Sequence, residues 1–300
     1  MISDPYVDAV LGKSEAMKKA GLWLPENVRP RAWLENFEEA DQMAAAAILD
    51  NLLYLSDRMT NALLRATYRN LADELWRSAL PGGRPGDLDA AIFTRVDGEQ
   101  PNISDSGNLF SRKVRNQLNV PEERLAEPAV ALEAAVTESR PVVFLDDFMG
   151  SSYQLQKTWR NSYREDHPRS FAEAQKCRPF PAYYIVLVTT SQGLELARYR
   201  CAGLHVVPGH VLGEEYSVRR LADQPNRPNL SDLPDRIHRL LAKYSDRLAL
   251  DLTMRQSDFA LYGFHSFGLT VAFQHGIPDA SIPLIWAKGS GSWTRLVSPA

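Results

Sequence analysis

The stretch of this 300-residue chain best equipped for chemistry runs Val142-Val143-Phe144-Leu145-Asp146-Asp147-Phe148-Met149-Gly150-Ser151-Ser152-Tyr153-Gln154. A β-prone apolar run is followed by two carboxylates, a short Gly/Ser turn and the start of a helical pattern. A helix N-terminus presents unpaired N–H groups and about half a unit of positive charge, which suits a phosphate. Gly150 lets the backbone come close to a ligand, and the hydroxyls of Ser151 and Ser152 can donate to it or cap the helix. Asp146 and Asp147 cannot favour phosphate by charge, but they can accept hydrogen bonds from sugar hydroxyls. A ribose 5-phosphate fits that division of labour. The plainer reading of the same residues is a strand that ends in two solvated acids and an ordinary serine cap. Paired acids also serve metals, but a metal needs more oxygen ligands than this segment supplies, so no protein metal centre is expected.

Such a turn needs a sheet to hold it. Ala90–Val96, Val142–Leu145, Tyr183–Val188 and Leu204–Val207 read as strands, and Tyr153–Glu165 and Gln192–Arg200 as helices. Continuous apolar strands alternating with helices predict an α/β fold with a parallel sheet covered on both faces. Ligands of such sheets bind beyond the carboxyl ends of the strands, where the acids fall. Upstream, Trp33, Phe37, Ala40, Ala44, Ala47, Ile48, Leu52, Leu55 and Met59 recur at helical spacing, and Leu64, Tyr68, Leu71 and Leu75 continue it. Pro81-Gly82-Gly83 and Pro85-Gly86 stop the pattern. The expected organisation is therefore a helical N-terminal segment over residues 1–84, packing on an α/β domain with a C-terminal extension over residues 85–300. In the extension, Leu233–Tyr244 reads as a helix continuing towards Leu250. Leu269–Phe273 and Ser281–Trp286 read as late strands, the second an edge because it contains Pro283.

Composition narrows the class. Apolar residues are 44% and charged residues 24%, with 17 Gly and 19 Pro, the make-up of a packed globular chain. A net charge of −3 offers no global field for a polyanion, so nucleic acid is not indicated as a partner. Cys177 and Cys201 are too few for a disulfide scaffold and point to a reducing, cytoplasmic location. Met1-Ile2-Ser3-Asp4-Pro5 lacks the pattern of a secretory leader, and Met43–Leu49 is too short to span a bilayer, so no membrane is expected. His205, His210, His265 and His275 gather no cysteine or acid cluster for zinc and read as structural or surface residues.

The segment around Asp146 resembles the phosphoribosyl pyrophosphate loop of class I phosphoribosyltransferases, in which a strand is followed by two acids and a Thr/Gly-rich turn. More narrowly, the chain resembles phosphoribosyltransferase-like proteins of prokaryotic conflict systems, including anti-phage defence. Those proteins carry an Asp-Asp-Phe motif with a Gly-Ser turn, a helical N-terminal region with Trp and Phe, and a C-terminal pattern matched here by Pro278, Ile282-Pro283-Leu284-Ile285-Trp286 and Trp293. The resemblance implies that Asp146 and Asp147 hold the ribose hydroxyls and that Met149, Gly150, Ser151 and Ser152 cradle the 5-phosphate. It makes Asp105-Ser106-Gly107 the candidate pyrophosphate loop, although a plain Asx turn capping a helix explains those residues equally well. Arg112, Lys113 and Arg115 are then available to neutralise pyrophosphate, and Asn119–Pro128 to close as a lid. The implied function is transfer of ribose phosphate to or from a base, with Mg²⁺ arriving with the phosphoribosyl pyrophosphate. The turn departs from the Thr-Gly-Gly-Thr of typical enzymes: it reads Gly150-Ser151-Ser152-Tyr153, with no second glycine and a bulky Tyr153. That departure supports an alternative, an inactive module that senses a nucleotide or sugar phosphate and docks a defence-system protein.

Overall fold

The computed structural model describes residues 4–77, 83–97, 106–223, 232–255 and 257–299. Its strands are β1 (Leu53–Leu55), β2 (Ile92–Arg95), β3 (Val142–Met149), β4 (Ala182–Thr190), β5 (Leu204–Leu212) and β6 (Val271–Phe273). β2, β3, β4 and β5 form one parallel sheet in that order, and β1 pairs in parallel with β6. The chain divides into two compact units, residues 61–212 and residues 1–60 together with 213–300.

The contiguous unit is the α/β core that the strand pattern predicts. On one sheet face Ile92, Val142, Phe144, Tyr184 and Val186 share a core with the helices Pro128–Glu138, Tyr153–Arg160, Phe171–Cys177 and Ser191–Arg200. The other face meets the helix Asp57–Trp76, whose Tyr68 ring lies 6.3 Å from Phe93 and whose Thr67 and Leu63 crowd Gly209 of β5. The helix Ser106–Leu118 joins that layer through Arg65, which donates to Gln117 at 2.6 Å. All nine residues of β4 are buried, as a strand covered on both faces requires. β5 runs on through Pro208, which has no N–H to give and is tolerated because β5 is an edge. Asn119–Pro128, the expected lid, is fastened to β2. Leu125 bridges Phe93, the Ala126 N–H bonds Phe93 O at 2.9 Å, and Arg124 lies 5.3 Å over the Phe93 ring.

Beneath the sheet's amino end the Tyr183 hydroxyl donates to Asp87 Oδ2 at 2.6 Å, and Asp87 also accepts the Arg84 N–H at 3.0 Å. Both partners are buried. Tyr183→Phe leaves that carboxylate one donor short, and a loss of about 1–2 kcal/mol is expected in urea unfolding with an unchanged slope.

The second unit is built from both ends of the chain. Trp33, fully buried, donates from its indole to Leu284 O at 3.1 Å. The Phe37 ring stands edge-on to Trp33, Tyr244 and Trp293, at 4.8, 4.9 and 5.7 Å. Val28 bridges Val297, and Arg29 N–H reaches Leu296 O at 2.9 Å. The terminal aromatic signature is thus packing.

Several expectations change. The division does not fall at 84/85, because the apolar residues near both ends, Trp33 and Leu284 among them, bury one another. Leu53–Leu55 is a strand within the presumed helical run, and its partner Val271–Phe273 lies too far along the chain for a local pattern to report. Ser281–Trp286 is no strand: Pro283 opens the helix Pro283–Trp286, where its fixed φ and missing N–H are harmless. The helix from Tyr153 stops at Arg160, and Leu233 begins a helix that ends at Ser245. No helix among the described residues is long and apolar enough to cross a membrane.

Candidate functional site

The acid pair sits inside β3, three and two residues before its last residue Met149, so the strand continues past the Leu145 end expected from the apolar run. The parallel ladder holds it there, Asp146 opposite Val186 and Phe148 opposite Val188. Alternation along the strand puts Asp146 on the face of Val142 and Phe144, against the apolar core. Its carboxylate accepts the Tyr184 hydroxyl at 3.1 Å and the Asp147 N–H at 2.9 Å. Burial drives the Asp146 carboxyl well above the usual carboxylate range, repulsion and a side-chain hydrogen bond from Asp147 add to this, and the Tyr184 hydroxyl pulls the other way. Burial, then the Asp146 charge, keep the Tyr184 phenol protonated and so a donor. Shielded from water and set beside a second acid, the Asp146 carboxyl is thereby biased towards its protonated form.

Beyond Met149 the chain turns through Gly150 and Ser151 into the helix Tyr153–Arg160. Ser152 is buried and left-handed at φ 61° and ψ 10°, directly before a right-handed helical residue. Such a left–right pair turns successive N–H groups to a common side, a geometry that receives anions. The Ser152 hydroxyl does not cap the helix, contrary to one use expected of it; it accepts from Gln156 Nε2 at 2.9 Å. Ser151 is partly buried, and Tyr153 is 56% exposed, so its bulk points away from the packed turn.

The neighbouring strand end clamps this turn. Thr189 Oγ1 donates to Met149 O at 3.0 Å and Thr190 Oγ1 to Gly150 O at 2.6 Å. Thr190 Oγ1 also accepts the Gly193 N–H at 2.8 Å, capping the helix Ser191–Arg200. A Cβ on Gly193 would stand 2.1 Å from Gly150 O. Ser191-Gln192-Gly193 reads in the sequence as an ordinary cap; its second duty, leaving room for the Gly150 carbonyl, depends on a contact between residues forty-odd positions apart.

A further acid, Asp97, stands beyond the end of β2. Its N–H donates to Thr158 Oγ1 at 2.9 Å and its Oδ2 accepts from Tyr163 at 2.5 Å. Thr158 belongs to the helix that follows the turn, so the β2 end and that helix are tied together. Asp97 belongs to no motif that would mark it in the sequence. Of the candidate pyrophosphate loop, Asp105 lies outside the described residues, while Ser106 and Gly107 open the helix Ser106–Leu118. In that helix Arg115 pairs with Glu122 at 2.8 Å and Lys113 donates to Asn61 at 3.4 Å.

Among the described residues no group of three or more His, Cys, Asp and Glu is arranged so that it could hold a metal ion. Mg²⁺ bound by one or two carboxylates, with water and substrate phosphates completing its shell, is compatible with the Asp146–Asp147 pair. A family model described as PRTase-CE matches residues 30–298. No curated protein matches the chain.

Proposed function

The chain belongs to the PRTase-CE family, a phosphoribosyltransferase-type family, and from that premise we propose that it binds phosphoribosyl pyrophosphate at the β3 turn and transfers ribose phosphate to or from a base. One observation carries the proposal: two adjacent carboxyls stand one short, clamped turn ahead of a helix N-terminus. The N–H groups of Gly150–Tyr153 receive the 5-phosphate, and Asp146 and Asp147 accept from the 2- and 3-hydroxyls. The bond from C1 to the pyrophosphate oxygen breaks as a base nitrogen bonds to C1. Pyrophosphate leaves, and the nitrogen's proton passes to water. Mg²⁺ carried by the pyrophosphate supplies charge neutralisation. The chain itself contributes position and field: carboxylate charge beside the ribose favours the cationic character that develops at C1. No side chain attacks the substrate.

A second reading draws on the turn itself. Ser152 is buried, its oxygen accepting from Gln156, so of the turn's two serine hydroxyls only that of Ser151 is partly open to a ligand. On that reading the pocket senses a nucleotide or sugar phosphate without turnover. Titration calorimetry with phosphoribosyl pyrophosphate and Mg²⁺, followed by pyrophosphate release against a panel of bases, separates the two. Binding with release supports transfer, binding alone supports sensing, and no binding overturns both. The resemblance extends the proposal to anti-phage defence in the cytoplasm with a defence-system protein as partner. Protection that persists in a strain carrying Asp146→Asn with Asp147→Asn would detach defence from this site.

A further inference from the structure

The loop before β4 brings together a second set of reactive groups. His167 Nε2 lies 3.2 Å from Cys177 Sγ, and its Nδ1 lies 3.2 Å from Glu173 Oε2. Glu173 and Cys177, four apart on the helix Phe171–Cys177, share one face and flank the same imidazole. The carboxylate is itself fixed, because Glu173 Oε2 accepts the Arg169 N–H at 2.7 Å. This is the order of nucleophile, base and orienting acid that activates a thiol. The thiol is free and exposed, whereas Cys201 is free and buried, its thiol pushed up to about 12 by burial.

We propose that Cys177 is a nucleophile activated by His167 and oriented through Glu173, and that it captures small-molecule disulfides. The thiol proton moves to His167 Nε2 and the thiolate attacks one sulfur of the disulfide. A new S–S bond forms to Cys177, the old one breaks, and the departing thiolate takes the proton from the imidazolium. Cys177 is oxidised and the disulfide reduced, with no further reagent. The product is a mixed disulfide, a reversible modification that a free thiol removes.

The position separates this chemistry from the sugar-phosphate turn. Cys177 precedes the amino end of β4, and the clamp residues Thr189 and Thr190 close its carboxyl end. Nine residues of strand span about 25–30 Å. The proposal therefore stands whether or not phosphoribosyl pyrophosphate binds.

Charges around the pair are Glu173 and Lys176 on its helix, with Glu165, Asp166, Arg169 and Arg178 in the flanking segments. The two helices packed against it add Glu133, which pairs with Arg164 at 2.9 Å, together with exposed Lys157 and Arg160, whose guanidinium donates to Arg200 O.

The test uses the full chain and a chromogenic aromatic disulfide, with the labelled residue identified by mass spectrometry. At about pH 6.5, wild type is expected to react roughly tenfold faster than His167→Gln, and the two to converge above about pH 9, where a thiol ionises unaided. Glu173→Gln, which keeps the base but loses its orienting acid, is expected to fall between them. Cys177→Ser is expected to remove the fast phase. Superposed pH profiles for wild type and His167→Gln, or a fast label found on Cys201, would overturn the proposal.

Discussion

Gly193→Ala is expected to weaken sugar-phosphate binding by about 100-fold, or about 2.7 kcal/mol. The added methyl would sit 2.1 Å from Gly150 O and 3.1 Å from both Gly150 C and Thr190 Oγ1. The obstacle is backbone, so no side-chain rotation relieves it. Either the turn moves away or the helix Ser191–Arg200 does, and both break the pair of bonds that Thr190 makes to Gly150 and Gly193. Alanine gains about 1 kcal/mol of helix propensity over glycine, against about 1–3 kcal/mol for overpacking. Stability should therefore change less than binding. Calorimetry and thermal unfolding on the same preparation check this. Unchanged affinity would show that the turn is not the phosphate site.

Asp146→Asn is expected to do something less usual: stabilise the protein while removing function. Burial and the neighbouring Asp147 raise the Asp146 carboxyl well above its unfolded value. Between the two values the folded state holds more protons than the unfolded one, so this group's contribution to stability falls as pH rises through the folded value. Ionising Asp146 in its buried place is a liability to the folded state. Asparagine keeps the bond from the Asp147 N–H, and its amide can donate to the Tyr184 oxygen, so the hydrogen bonds survive without the charge. A gain of about 1–2 kcal/mol at pH 7 is expected, roughly 2–4 °C in Tm, shrinking as pH falls towards 4. Ribose binding should weaken in the same variant. A melting temperature that drops at pH 7 and not at pH 4 would contradict this account. A gain would mean that the chain holds an unfavourable charge where a ligand can use it.

How much of this could be read along the chain follows the range of the forces involved. β3 and β4 announce themselves because strands covered on both faces need continuous Val, Ile, Leu, Phe and Tyr. The acid pair is visible as chemistry, yet its place within the strand is not, because the ladder from Val186 to Val188 carries β3 through two charges. Pro208 and Pro283 both look like breakers. One sits on a sheet edge and the other begins a helix, and only the tertiary neighbours decide which. Helix Phe171–Cys177 is short, and its Trp159–Phe171 stacking at 6.0 Å comes from a partner across a loop. Gly193, Asp97 and His167 share one trait: each acts on a residue that the fold, not the sequence, makes its neighbour.

The unit that joins residues 1–60 to residues 213–300 sets an order of events during synthesis. The contiguous sheet unit can fold once Leu212 has cleared the ribosome. The first helices cannot, because Trp33 and the run Ala44–Leu49 find their cover in segments such as Leu284–Ile285 and Leu296–Val297. At about 5–20 residues per second, the roughly 240 residues between them take on the order of 10–50 seconds to make. For that interval Trp33 and Ala44–Leu49 wait in the nascent chain without the apolar cover they have in the folded core.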